Sequence, residues 1–214
     1  MRNIEILRED DFSIIVNKPG GLAVQGGEGV KSSLDKILAG YCSPPPLLVH
    51  RLDKETSGVL LAANGREAAG RFSKIFNSAR GHEKRIIKLY TAVCKGIPKQ
   101  AEGVITDTLM IRGVRKESET CYKVIKSFTL PDECSVLEME PGTGRMHQIR
   151  RHLAMNGNPV LGDDKYGDFK LNKKLRLKRL LLHASRLIIK EFNIDVTAPL
   201  PEYFKQFIKE PPYN

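Results

Sequence analysis

The stretch Leu47-Leu48-Val49-His50-Arg51-Leu52-Asp53-Lys54-Glu55-Thr56-Ser57-Gly58-Val59-Leu60-Leu61-Ala62-Ala63 sets a charged loop between two apolar runs. Apolar runs of this length read as short strands, so the polar residues between them stand at the end of a sheet. Loops held on a rigid scaffold are where binding and catalytic side chains collect. Asp53 lies between Arg51 and Lys54, a setting that favours an ionised carboxylate. Such a group works as a nucleophile or general base, or serves only as a turn carboxylate.

Working outward, residues 12–17 are predicted as a strand that ends at the turn Lys18-Pro19-Gly20-Gly21. The Gly-rich run from Gly20 to Gly29 has neither GxGxxG nor GxxxxGK, which excludes those nucleotide-binding loops. Ser32 or Ser33 is predicted to cap a short helix that ends at Gly40. Residues 66–80 repeat Ala68/Ala69, Phe72, Ile75/Phe76 and Ala79 at helical spacing. Segments 87–96, 102–109, 118–127 and 134–140 alternate as strands, and Pro141-Gly142-Thr143-Gly144 breaks the chain before a helix predicted over 145–155. Residues 179–189 read as a further strand, and a last helix runs to Lys209. The Lys-rich segment 168–179 is expected to be a mobile loop. Runs of strands punctuated by a few helices predict an α+β fold with a large mixed, mostly antiparallel sheet. No linker divides the chain, so residues 1–214 read as a single domain.

The chain of 214 residues carries 35 Lys+Arg against 25 Asp+Glu, a net charge of +10, with 41% hydrophobic residues. That composition excludes a disordered or fibrous chain. The positive excess is local. Residues 66–99 hold nine Lys or Arg against two Glu, and residues 145–190 hold twelve against three Asp. Two basic segments that converge make a polyanion footprint, and two that do not are solvated faces. No apolar run approaches the ~18 residues of a membrane span, and Met1-Arg2-Asn3-Ile4-Glu5 opens no signal peptide. Cys42, Cys94, Cys121 and Cys134 form no CxxC pair and read as free, mostly buried thiols of a reducing, cytoplasmic compartment.

A second constellation is Thr143-Gly144-Arg145-Met146-His147-Gln148-Ile149-Arg150-Arg151-His152-Leu153. On a helix, Met146, Ile149/Arg150 and Leu153 share one face, and His147, Arg151 and Ala154 the next. An arginine beside an apolar stripe is buried and needs a carboxylate partner. Arg145 and Arg151 suit phosphate contact. His147 and His152 are five apart, the wrong spacing for two ligands on one helical face, so no metal site is expected. Tyr90 shares a strand face with Lys88, Ala92 and Cys94, as a core tyrosine or as one that stacks on a base. Leu180-Leu181-Leu182-His183-Ala184-Ser185 reads as a core strand.

Taken together, His50-Arg51-Leu52-Asp53 with Thr56-Ser57-Gly58 resembles the signature of RNA pseudouridine synthases of the RluA type. The resemblance extends to Asn17-Lys18-Pro19-x-Gly21, Lys88-x-Tyr90, Thr143-Gly144-Arg145-x-His147-Gln148-x-Arg150, Leu161-Gly162-Asp163 and Leu182-His183-Ala184. These blocks follow the family's order over about residues 11 to 200. The resemblance implies a sheet in two lobes with a central active-site cleft. It also implies isomerisation of uridines in structured RNA, with no cofactor and no metal. Asp53 then matches the catalytic aspartate, Tyr90 the tyrosine packed against the target base, and Arg150 the basic residue that pairs with the aspartate. Arg51 matches the residue that fills the space of a flipped nucleotide. Arg51, Thr56, Arg145, His147 and Leu182 are expected to bind substrate, and Arg151, Lys173, Lys174 and Arg176 to contact RNA phosphates. The chain is expected to act as a monomer on ribosomal or transfer RNA, with no membrane partner. Strand 12–17 begins almost at once, so the small RNA-binding domain that many relatives carry before the catalytic one is not expected here. Gln25-Gly26-Gly27 resembles the branch that acts on large-subunit ribosomal RNA. Two other classes compete: an RNA-binding module without catalysis, and a metal-dependent nuclease built on His50, Asp53, His147 and His152.

Overall fold

The computed structural model describes residues 4–77, 85–111, 113–130 and 132–209. The chain divides into two compact units, Met1–Lys88 with Ala184–Pro199 and Leu89–His183 with Leu200–Asn214. The first unit opens with strands β1 (Glu5–Glu9) and β2 (Ser13–Lys18), helix α1 (Leu34–Tyr41), strands β3 (Leu47–Leu48) and β4 (Ser57–Ala63), and helix α2 (Arg66–Asn77). The chain enters the second unit within β5 (Ile86–Lys95). It continues through β6 (Glu102–Ile111), β7 (Val114–Leu130), β8 (Asp132–Pro141), α3 (Gln148–Met155) and α4 (Phe169–Lys174). It returns to the first unit within β9 (Leu182–Ile189), followed by a 3-10 turn (Lys190–Phe192) and β10 (Ile194–Thr197). Helix α5 (Glu202–Lys209) belongs to the second unit.

The strand order is β1-β2-β4-β9 in the first unit, with β3 beside β4 and β10 beside β9. In the second it is β5-β8-β7-β6. The pairings β1/β2, β2/β4, β3/β4, β9/β10, β5/β8, β7/β8 and β6/β7 are all antiparallel. This is the α+β, mostly antiparallel architecture that the strand-rich pattern predicts. All seven residues of β4 are buried, which is why it reads as an unbroken apolar run rather than an alternating one. Ile15, Val59, Leu61 and Ala63 pack with Ala68, Phe72 and Ile75 of α2, residues four and three apart on one helical face. In the second unit Ala92 and Cys94 pack into one core with Leu137, Met139, Ile149 and Leu153. Val93 joins the other, with Leu171, Leu175 and Phe204. Strand β5 is thus buried on both faces there.

Several expectations change. Residues 168–179 are not all loop: Phe169–Lys174 form α4, Asp168 accepts the Leu171 N–H at 2.9 Å to cap it, and buried Leu171 and Leu175 anchor it. A run of lysines masks two apolar anchors four apart. The helix predicted over 145–155 begins only at Gln148, because His147 is left-handed (φ 52°). Met146 therefore lies off the Ile149/Arg150/Leu153 stripe and is 58% exposed. Strand β1 carries Glu at both ends and, among the described residues, stands at the edge of the sheet beside β2, so its sequence shows little of a strand. Ser33 occupies the position before α1, yet its hydroxyl bonds to Asp35 instead of capping a backbone amide. Residues 78–80 of the predicted 66–80 helix lie outside the described residues. None of the four cysteines is in a disulfide; Cys94 and Cys134 are buried and the other two half-buried. Among the described residues no helix is long and apolar enough to cross a membrane.

Gly58, the second residue of β4, has φ +112°, and a Cβ there would sit 2.1 Å from the Ala184 carbonyl oxygen. Gly157 is also left-handed (φ +81°), but a Cβ there meets nothing within 4 Å. Gly58→Ala therefore combines backbone strain with a backbone clash, about 3 kcal/mol or more, or roughly 10 °C in Tm. Gly157→Ala carries only the backbone term, about 1 kcal/mol. Thermal melts of both variants check the difference; equal losses would contradict the close approach of β4 to Ala184.

Candidate active site

The Asp53 loop is organised by a lysine beneath it. Lys18 ends β2 with 0% of its surface exposed. Its Nζ donates to the carbonyls of Leu22 at 2.9 Å, Pro19 at 3.0 Å and Lys54 at 3.1 Å. An ammonium has three protons, and these three acceptors take them. Burial pushes the Lys18 pKa down to about 8, while the charges of Glu55 and Asp53 act to hold it up. The Gly21 N–H donates to the same Lys54 carbonyl at 2.9 Å, and the Thr56 N–H to the Asp53 carbonyl at 3.2 Å. The turn from Asp53 to Thr56 is thus tied from below and closed across itself. Arg51 is exposed, Asp53 and Glu55 are half-buried, and Thr56 is buried.

His50 is engaged on both its ring edge and its ring face. Its Nε2 accepts the Leu61 N–H at 3.0 Å, and its ring stacks on Phe76 at 4.2 Å and 14°. Burial, with the Lys88 charge adding to it, pushes its pKa down to about 3. His152 is buried, with its Nε2 2.8 Å from the Ser118 hydroxyl. Ring nitrogens used in this way do not favour a metal centre. Among the described residues no group of His, Cys, Asp or Glu is placed to hold one.

In the second unit the organising residue is Gln148. Its Oε1 accepts from the Thr143 hydroxyl and, at 3.0 Å, from the Arg145 N–H. Its Nε2 donates to the Glu119 carbonyl at 2.8 Å and the Thr120 hydroxyl at 3.0 Å. These bonds pin residues 143–148 to β7 and delay the start of α3. Arg150, buried on α3, donates from Nε and Nη2 to the two oxygens of Asp163, both at 2.7 Å, and from Nη2 to Asp164 at 3.2 Å. Burial acts to raise the Asp163 pKa. The Arg150 hydrogen bond and charge and the N–H groups of Tyr166 and Lys165 outweigh it and hold the carboxyl below its ordinary value.

The carboxylate that a buried Arg150 requires thus includes Asp163. The block Leu161-Gly162-Asp163 was visible in the sequence, but its link to Arg150 was not. Lys18 was likewise visible only as part of Asn17-Lys18-Pro19. The signal was a lysine closing an apolar strand just before a Pro-Gly turn.

Of the expected site residues, Arg51, Asp53 and Thr56 belong to the first unit and the rest to the second. Tyr90 is half-buried on β5 against the Ala92–Cys94 core. His147 precedes α3 with its Nδ1 3.1 Å from the Tyr166 hydroxyl. Arg145 and Arg151 are half-buried, and the Arg145 Nε is buried without a hydrogen-bond partner. Leu182 is packed in the core with Ile149, Leu153 and Val160. Lys173, Lys174 and Arg176 are exposed at the end of α4 and just beyond it, with Lys174 3.9 Å from Asp132.

Residues 12–155 match the family model of RNA pseudouridylate synthases. The ribosomal large subunit pseudouridine synthase C of Rickettsia typhi is 36% identical over 219 residues, covering 93% of this chain and 69% of the relative. The solved structure of human RNA pseudouridylate synthase domain containing 4 superposes with a TM-score of 0.77 at 28% identity, over 94% of this chain and 90% of that one. Human RNA pseudouridylate synthase domain containing 1 gives 0.78 at 27%, over 97% and 86%. This chain belongs to the RNA pseudouridylate synthase family and is an enzyme of that class.

The Arg150–Asp163 pair makes a stability prediction. Asp163→Ala leaves a buried guanidinium without its bidentate partner and is expected to cost about 3–5 kcal/mol. The unfolded chain takes up this proton near pH 4, before the folded one does. The pair's contribution is therefore intact above about pH 4 and is lost as pH falls through the lower folded-state pKa. Urea melts from pH 7 to pH 3 should show a shallower acid decline in Asp163→Ala than in wild type; parallel curves would contradict the pair.

Proposed function

We propose that this chain converts specific uridines in large-subunit ribosomal RNA to pseudouridine, with Asp53 as nucleophile or base and with no cofactor. The observation that carries the reading is the Asp53 turn, a carboxylate-bearing loop closed on itself and tied to a buried ammonium. Such fixation suits a group that must meet a reacting atom in one geometry. The relatives' names, ribosomal large subunit pseudouridine synthase C, support ribosomal over transfer RNA as the substrate.

In this isomerisation the bond from ribose C1′ to uracil N1 breaks and C1′ joins C5. C5 loses a proton and N1 gains one, so the reaction is redox-neutral and loses no atom. That balance is why no cofactor is required. We assign Tyr90 to packing against the target base and Arg150 to the role of basic partner in the reaction. Arg51 fills the place of the extruded nucleotide, and Thr56, Arg145, His147 and Leu182 bind substrate. Extruding a stacked uridine costs roughly a few kcal/mol, which phosphate contacts from Arg151, Lys173, Lys174 and Arg176 offset. We read residues 1–214 as one catalytic domain that works as a cytoplasmic monomer.

Asp53→Asn is expected to fold and bind RNA as wild type does while forming no pseudouridine, measured by nucleoside analysis of treated ribosomal RNA. Turnover by that variant would sink the assignment. Neutralising Lys173, Lys174 and Arg176 together is expected to lower RNA affinity and reduce the slope of log K against log salt by about 2–3. An unchanged slope would remove this cluster from the interface.

A further inference from the structure

The turn after Asp163 does more than supply a carboxylate. Its backbone N–H groups at Lys165 and Tyr166 both donate to Asp163 Oδ1, at 2.8 Å and 2.9 Å. This fixes where the Tyr166 side chain starts. The half-buried Tyr166 ring then lies under the Arg150 guanidinium, 5.3 Å from its centroid, within cation–π range. Its hydroxyl reaches the His147 Nδ1 at 3.1 Å, and the two rings meet edge to face at 5.7 Å and 74°. His147 itself is held at φ 52°, a left-handed conformation that costs a non-glycine residue free energy and persists only where its surroundings enforce it. One tyrosine thus touches two of the proposed site residues with two different parts of its side chain.

We propose that Tyr166 is a positioning residue for uridine isomerisation. Its ring face orients the Arg150 guanidinium, and its hydroxyl orients the His147 imidazole toward RNA. This rests on the reading above, in which Arg150 serves the reaction and His147 contacts substrate. Asp163 fixes the guanidinium through two parallel bonds, and the Tyr166 ring, with the guanidinium over its face at 5.3 Å, restrains it from a second side. When the hydroxyl donates to Nδ1, the imidazole carries its proton on Nε2. That presents an N–H donor of the kind that reads a phosphate or carbonyl oxygen.

The two contacts separate by substitution. Tyr166→Phe keeps the ring and removes the hydroxyl, so it is expected to raise the KM for RNA about threefold to tenfold with kcat near wild type. Tyr166→Leu removes both and is expected to lower kcat as well. Because a structural role would lower Tm and active fraction without splitting KM from kcat, melts and active-site titration accompany the kinetics.

A double-mutant cycle makes the link to His147 explicit. In a His147→Ala background, Tyr166→Phe is expected to add nothing further to KM. Additive effects, or a Tyr166→Phe enzyme with wild-type KM beside an impaired His147→Ala, would overturn the proposal. A His147→Ala enzyme with wild-type KM would instead overturn the substrate role of His147, and the hydroxyl half of the proposal with it. A Tyr166→Leu enzyme with unchanged kcat would overturn the ring half.

Discussion

The ammonium of Lys18 has no exposed surface, and the Asp53 loop takes its shape from where that group's protons go. A buried cation without acceptors is costly enough to be neutralised or expelled. Here the carbonyls of Pro19, Leu22 and Lys54 converge on it, drawing the turn after β2 together with a loop whose Lys54 is 36 residues from Lys18 in sequence. Lys18 closes β2, which is paired along its length with β4, the strand that the Asp53 loop enters. The sheet therefore sets the height of the ammonium, and the ammonium sets the height of the loop. Close approach of β4 to the Ala184 backbone, which only a glycine at position 58 permits, holds the far end of the same loop.

A similar logic governs the second unit with a different cation. Arg150 is buried on α3, and its fork is matched by the Asp163 carboxylate, which is itself held by two backbone N–H groups. A pair of this kind contributes little net stability compared with apolar packing, but losing one partner is expensive, so it specifies geometry more than it stabilises. Gly162 and Asn172 reinforce the turn from outside. The Asn172 side chain accepts from the Gly162 N–H and donates to the Asp163 carbonyl, which locks α4 to it. Lys173 and Lys174, proposed to touch RNA, thus ride on a helix tied to the same turn that holds Arg150, and Arg176 follows just beyond its end.

Much of the fold was legible in the sequence where burial imposes a simple period. Strands β5 to β8 and helix α2 show their apolar residues at spacings of two or of three and four, and they lie close to where those spacings put them. What was not legible depends on partners distant in the chain. The late start of α3 follows from Gln148 reaching residues 119 and 120 on β7, which no local pattern encodes. The helix α4 was hidden because five lysines and arginines in residues 168–178 outweigh two buried leucines in any reading of polarity. In the site, Asp53, Arg150 and His147 stood out by chemistry and motif. Lys18, Asp163 and Tyr166 did not, because each acts on another side chain or on backbone, and such roles carry no signature in residue type alone.

The basic segments and the catalytic motifs lead to one account, in which an RNA is held by phosphate contacts while a single uridine is extruded and isomerised. The most direct test is to map pseudouridine at nucleotide resolution across total cellular RNA, in cells with and without this protein. The account predicts that one or a few uridines in large-subunit ribosomal RNA lose the modification when the protein is absent and regain it when the protein is restored. Unchanged pseudouridine in ribosomal RNA, with losses only in transfer RNA or nowhere, would contradict it.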